Sequence, residues 1–133
     1  MTALRVLVLE DSDIMRKIII KHLLSLGLQE NEVIEAHNGA EALRKLNSHT
    51  FDLLILDIVM EGIDGVAVFK EAKKIQPGAR TVMCSSFSDR ETVIDLVNMG
   101  IDDFIVKPFS EERFIETISR NLVAAGVKEK RKK

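Results

Sequence analysis

Residues 51–77 read FDLLILDIVMEGIDGVAVFKEAKKIQP, and the change of pattern inside this stretch decides the fold. The first six residues are apolar everywhere except Asp52, which suits a strand buried on both faces better than a half-exposed hairpin strand. Beyond Asp57 the period changes. Asp64 is a capping type of residue, and Val66, Phe69 and Ala72 then recur at helical spacing. Pro77 ends the run, because its ring and missing N–H cannot continue a helix. The unit is one strand followed by one helix, with an acid where the strand stops.

The same unit recurs along the chain. Strand-like runs occupy residues 5–9 (RVLVL), 32–36 (EVIEA), 51–56 (FDLLIL), 81–84 (TVMC) and 103–106 (DFIV). A helical pattern follows each. Ile14, Ile18, Ile19, Leu23 and Leu26 mark the first helix, which stops at Gly27. Asn38 with Glu41 predicts a capping box for the second, which carries Leu43 and Leu46. Ser88 with Glu91 predicts another ahead of Val93, Ile94 and Val97, with Gly100 at the end. Ser110 caps the fifth helix, Glu111 and Glu112 complement its dipole, and Phe114, Ile118 and Leu122 form its apolar stripe. Five such units without hairpin signals predict an α/β three-layer sandwich. Its doubly wound, parallel five-stranded sheet has the order 2-1-3-4-5 and right-handed crossovers. Residues 1–125 are expected to form the domain, and 126–133 a basic tail.

Composition narrows the class. The 133 residues are 46% hydrophobic and 30% charged, which is globular usage and excludes a disordered chain. No uncharged run exceeds eight residues, against the roughly 18 that a membrane helix needs. No secretory signal opens the sequence. Cys84 is the single cysteine, so an internal disulfide or a cysteine-based zinc site cannot form and a reducing compartment is expected. A soluble, cytoplasmic domain without a membrane partner follows. Residues 128–133 hold five basic groups and one acid, leaving 14 basic against 20 acidic residues elsewhere. An acidic body argues against nucleic acid as a partner. The tail reads as a solvated terminus or as a contact for something anionic.

In a sheet of this topology, ligands sit beyond the carboxyl ends of the strands. Those ends offer Glu10 and Asp11 after the first strand, Asp57 after the third, Ser85 and Ser86 after the fourth, and Lys107 after the fifth. Taken singly, each is an ordinary turn or cap residue; their joint placement is what points to chemistry. Crowded carboxylates repel unless a cation sits among them, and oxygen-only ligands suit Mg²⁺. Asp57 can then act as nucleophile toward a phosphoryl group, with Lys107 and the Ser85 hydroxyl on the phosphoryl oxygens. The three histidines, His22, His37 and His49, are scattered away from these ends. Cys84 reads as a small hydrophobe, and Met15, Met60, Met83 and Met99 read as core or rim packing.

Residues 4–125 resemble the receiver domain of two-component response regulators, most closely the single-domain chemotaxis (CheY-like) type. The resemblance is carried by VLVLEDSDIMR (6–16), LLILDIVMEGIDG (53–65), TVMCSS (81–86) and DDFIVKPF (102–109). It implies that Glu10, Asp11 and Asp57 hold Mg²⁺ together with the backbone carbonyl of Val59. Asp57 is then the phosphoacceptor, Ser85 the switch hydroxyl, Phe104 the aromatic that follows its movement, and Lys107 the phosphoryl-binding lysine. The Lys107–Pro108 bond is expected to be cis, which proline permits at low cost. A sensor histidine kinase would be the phosphodonor, and the face of the fourth helix, fifth strand and fifth helix would signal to a downstream protein, a flagellar motor component by analogy. The chain would catalyse only its own phosphorylation and dephosphorylation.

Two residues depart from the family pattern. Glu61 stands where proline is usual, pointing either to the site or to solvent, and Ser86 stands where a smaller residue is usual. Two other readings stay open. The chain is also compatible with a receiver excised from, or feeding, a longer regulator or phosphorelay. A flavodoxin-like FMN binder shares the topology, although the sequence has no Trp or Tyr to stack a flavin.

The resemblance also places Val59 and Phe87 beside the path of the water that would hydrolyse the aspartyl phosphate. Neither side chain can orient a water by hydrogen bonding. Self-hydrolysis is therefore expected to be slow, and Val59→Asn should shorten the lifetime of the phosphorylated form. Decay of the phosphoprotein followed by intact mass checks this, and an unchanged lifetime would refute it.

Overall fold

The computed structural model describes residues 4–58, 60, 62–86 and 90–126. Each apolar run becomes a strand: β1 (Val6–Leu9), β2 (Val33–Ala36), β3 (Leu53–Leu56), β4 (Arg80–Ser85) and β5 (Asp103–Val106). Each periodic segment becomes a helix: α1 (Asp13–Ser25), α2 (Gly39–Ser48), α3 (Gly65–Ile75), α4 (Arg90–Met99) and α5 (Glu111–Ala124). All pairings are parallel and the sheet order is β2-β1-β3-β4-β5, as the sequence predicts.

Alternation along the strands divides the core into two layers. Leu7, Leu9, Leu54, Leu56 and Met83 face one side, where Ala42, Leu46, Val68, Phe69, Ala72 and Leu96 from α2, α3 and α4 cover them. Val6, Val8, Leu53, Ile55, Val82, Cys84 and Ile105 face the other, under Ile19 and Leu23 of α1 and Phe114, Ile118 and Leu122 of α5. Every residue of β1 and β3 is buried, whereas the edge strands β2 and β5 are partly open. Each fully buried Leu, Ile or Phe is worth about 1.5–3 kcal/mol, so the central strands anchor the fold. Burial also pushes the Cys84 thiol up to about 12, consistent with its packing role.

Several boundaries differ from the sequence reading, each for a local reason. Glu32 belongs to a short 3₁₀ turn rather than to β2, because its carboxylate accepts the Gln29 N–H at 2.9 Å. Phe51 precedes β3 because the Gln76 side chain takes its N–H at 2.7 Å while donating to Leu46 and His49 carbonyls at the end of α2. The capping box at Asn38 is half made. The Asn38 side chain accepts the Glu41 N–H, but the Glu41 carboxylate goes to the His37 N–H at 2.8 Å, drawn there by the His37 ring 3.0 Å away. The expected cap at Ser88 lies outside the described residues. Helix phase is corrected twice. In α1, Ile14 (76% exposed) and Ile18 (38%) face solvent and the buried stripe is Arg16, Ile19 and Leu23. In α4, Ile94 (47%) and Val97 (57%) are exposed and Leu96 is the buried residue.

A polar latch fastens α5 to β5. The Asp103 carboxylate accepts from Arg120 Nε at 2.8 Å, Arg120 Nη2 at 3.1 Å and Asn121 Nδ2 at 2.9 Å. Partial burial alone would raise the Asp103 pKa, but these donors outweigh it and hold the carboxyl below the usual aspartate range. A carboxylate whose folded-state pKa is depressed stabilises the fold above its unfolded value, and that stability is lost as pH falls through the folded value. Asp103→Asn should therefore destabilise the domain by about 1–2 kcal/mol at neutral pH, the scale of charge-assisted bonds. In urea unfolding, the gap to wild type should shrink steadily as pH falls below about 4; a gap that does not narrow would show that charge is not what the latch uses.

Candidate metal and phosphoryl site

The register sets the site. Leu9 pairs with Leu56 and Leu56 with Met83, so Glu10 and Asp57 leave their strands at one level beside the end of β4. Ser85 pairs with Val106, and the Lys107 N–H then donates to the Ser85 carbonyl at 3.0 Å. The neighbouring backbones are tied as well: Glu10 N–H donates to the Ala36 carbonyl and Asp57 N–H to the Leu9 carbonyl, both at 3.1 Å. Glu10, Asp57 and Ser85 are buried, Lys107 is half-buried and Asp11 is exposed.

The side chains converge. Lys107 Nζ donates to Glu10 Oε1 at 2.5 Å and to Asp57 Oδ2 at 3.2 Å. Carboxylate oxygens of Glu10, Asp11 and Asp57 lie within 4.8 Å of one another. Of the candidates read from the sequence, Glu10, Asp11, Asp57 and Lys107 lie together here. The Lys107–Pro108 bond is cis, as expected. Phe104 is half-buried on β5, level with Met83, and packs against the α2–α3–α4 layer of the core. Val59, Glu61 and Phe87 lie outside the described residues.

Electrostatics make the cluster receptive to a cation. Burial holds the Glu10 carboxyl above its ordinary value, against the pull of Lys107 and of the Ser12 N–H 3.1 Å from Oε2. Burial works to lower the Lys107 pKa, but its bonds to Glu10 and Asp57 win and hold the ammonium above the usual lysine range. Three carboxylates against one ammonium leave an excess of negative charge in a partly enclosed, oxygen-only donor set. That set fits a hard divalent ion such as Mg²⁺, which takes one or two carboxylates and keeps waters or phosphate oxygens for the rest.

Two supports of the site were missed at the level of sequence. Arg16 is buried and donates from Nη1 to the Glu10 carbonyl at 2.7 Å. The available signal was a charge three residues before Ile19 on the buried stripe of α1. Gly65 begins α3 directly against the end of β3, and a Cβ there would lie 1.8 Å from the Asp57 carbonyl oxygen. Its own N–H donates to the Ile58 carbonyl at 3.2 Å. Only a residue without a side chain lets the helix start that close.

Comparison with known proteins agrees with this arrangement. A family model described as the response regulator receiver domain matches residues 6–119. The chemotaxis protein CheY of Bacillus subtilis is 41% identical over 118 residues, covering 89% of this chain and 97% of that protein. CheY of Thermotoga maritima is 34% identical over 116 residues, covering 87% and 95%. Among solved structures, a CheY-like receiver domain protein from Methanospirillum hungatei superposes with a TM-score of 0.85 at 25% identity, over 94% of this chain and 98% of that one. The response regulator TrrA of Thermotoga maritima, solved in complex with Mg²⁺ and BeF, gives 0.79 at 33% identity, over 90% and 99%.

The close approach at Gly65 holds α3 against the backbone of Asp57. Gly65→Ala must push α3 away from the end of β3 and should cost at least about 2 kcal/mol, the usual scale of forced overpacking. Gly78→Ala, where an added Cβ meets nothing within 4 Å, should stay within about 0.5 kcal/mol of wild type. Urea denaturation of the two variants measures the difference, and equal stabilities would contradict the clash.

Proposed function

The chain belongs to the response regulator receiver domain family, and on that premise we propose that it is a phosphorylation-activated switch of a two-component system, accepting a phosphoryl group on Asp57 from a sensor histidine kinase. The observation that carries this reading is the Lys107 ammonium lying between the buried Glu10 and Asp57 carboxylates, with Asp11 completing the acidic cluster. In the transfer, an Asp57 carboxylate oxygen attacks phosphorus. The new O–P bond forms as the donor's N–P bond breaks, and the imidazole leaves. Glu10, Asp11 and Asp57 would hold Mg²⁺, with the Val59 carbonyl as a further proposed ligand; when bound, the ion neutralises charge on the transferring group.

This chain's own groups do the rest. Lys107 is already within reach of Asp57 and can pair with a phosphoryl oxygen attached there. The Ser85 hydroxyl, at the end of β4, can donate to another. Because Lys107 and Ser85 are joined through the backbone of β4 and β5, drawing them toward Asp57 moves the strand that carries Phe104. On the adjoining outer face, Ile94, Val97 and Val106 expose apolar surface along α4 and β5, which supports the α4-β5-α5 face as the contact for a downstream protein. The relatives named as chemotaxis proteins support chemotaxis as the pathway. Among the described residues no helix is long and apolar enough to cross a membrane, and a cytoplasmic switch with no nucleic-acid partner is proposed. Catalysis is confined to the chain's own phosphorylation and dephosphorylation.

Intact mass after incubation with acetyl phosphate tests the reading. Wild type with Mg²⁺ should gain one phosphoryl group, whereas Asp57→Asn, and wild type in EDTA, should gain none. Wild type that remains unmodified with Mg²⁺ present would overturn the proposal.

A further inference from the structure

We propose that Arg16 is the positioning residue of the acidic pair: its guanidinium fixes the peptide between Glu10 and Asp11 and so sets the affinity of the site for a divalent cation. The inference rests on the metal reading given above. Arg16 lies on α1 in the stripe that faces the sheet, only 8% exposed. Its three nitrogens reach three different elements. Nη1 donates to the Glu10 carbonyl at 2.7 Å, Nε to Glu35 Oε1 on the edge strand β2 at 2.9 Å, and Nη2 to Asp13 Oδ1 in the first turn of α1 at 2.6 Å. Burial alone would lower its pKa, but the Asp13 and Glu35 carboxylates more than compensate, so the clamp remains a cation.

The position of that carbonyl gives the contact its consequence. The Glu10 N–H is bound to Ala36 on β2 and the Glu10 C=O to Arg16, so the backbone is held from both sides just where it leaves the sheet. Asp11 is the next residue. It is exposed, and the peptide before it determines where its carboxylate stands relative to Asp57. Ser12 N–H donates to Glu10 Oε2 and the Ser12 side chain caps α1, which places the acid pair inside one short turn whose orientation Arg16 sets. A lysine carries the charge but lacks the planar fork needed to reach three acceptors in three directions. Groups that orient metal ligands without touching the ion typically change affinity about 10–100-fold when removed.

The test is a calorimetric titration with Mg²⁺ alone, on protein shown by its melt to be fully folded. Arg16→Met should bind Mg²⁺ about 10–100-fold more weakly than wild type, and Arg16→Lys about 3–10-fold more weakly. Glu35→Ala removes the clamp's hold on β2 and leaves the Glu10 carbonyl bond in place, so its affinity should stay within about twofold of wild type while its melting temperature falls. If Arg16→Met lacks a cooperative melt, Arg16→Lys decides. Both Arg16 variants within about twofold of wild type would overturn the proposal. An equal loss in Glu35→Ala would also overturn it, by showing that the metal responds to helix docking in general. Wild type that binds no Mg²⁺ would instead remove the metal reading on which the proposal rests.

Discussion

The Lys107 ammonium sits 2.5 Å from Glu10 and 3.2 Å from Asp57, and the end of the sheet is arranged around that contact. A buried charge without a partner costs several kcal/mol, and here one ammonium is shared by two buried carboxylates that leave β1 and β3 side by side. Holding that cation in place requires β5, which reaches the site only through β4. The order β2-β1-β3-β4-β5 thus brings Lys107 to the acidic residues as well as burying apolar surface.

The hydrophobic layers supply the rigidity that this contact needs. Leu9 and Leu56 are buried next to the acids, and Met83 and Cys84 are buried just before Ser85. Glu10, Asp57 and Ser85 each follow directly on a buried side chain that cannot shift without opening a cavity. The same logic explains Gly65. Packing α3 against the end of β3 encloses Asp57, and a side chain at residue 65 would hold the helix off.

The fold and the groups gathered at the sheet end were legible in the sequence because both follow from patterns along one strand at a time. Nearly continuous apolar runs marked β1, β3 and β4, and the first polar residues after them are the candidates Glu10, Asp57 and Ser85. What was not legible depends on which way a helix faces. Three consecutive isoleucines, Ile18 to Ile20, leave the phase of α1 ambiguous, and the count of apolar positions favoured Ile14 and Ile18 where the structure buries Arg16. Arg16 escaped notice because, beside the local partner Asp13, it reaches the Glu10 carbonyl beyond the end of β1 and Glu35 on β2, and no helical spacing announces those two. Gly65 escaped because a close approach between helix and strand leaves no mark in hydrophobic periodicity. Glu41 shows the same limit on a smaller scale: the spacing predicted a bond to the cap residue, and the neighbouring His37 redirected it.

Glu10 gives this arrangement its own character. A glutamate carries one methylene more than an aspartate, and here that reach brings Oε1 to Lys107 while Oε2 stays on the Ser12 N–H. The residue is therefore engaged at both oxygens before any ion arrives. On the proposed reading Asp11 would offer an ion the exposed carboxylate, while Glu10 and Asp57 already hold bonds to Lys107. The Lys107 ammonium lies 3.2 Å from Asp57 Oδ2, beside the place where, on that reading, the phosphoryl group would be delivered. Metal binding and the placement of Lys107 would then be coupled, and the stiffness of the turn holding Glu10 and Asp11 would bear on both. That stiffness comes from the Ala36 and Arg16 bonds on either side of Glu10, which makes a buried arginine that touches neither metal nor phosphate a determinant of how the acidic site responds.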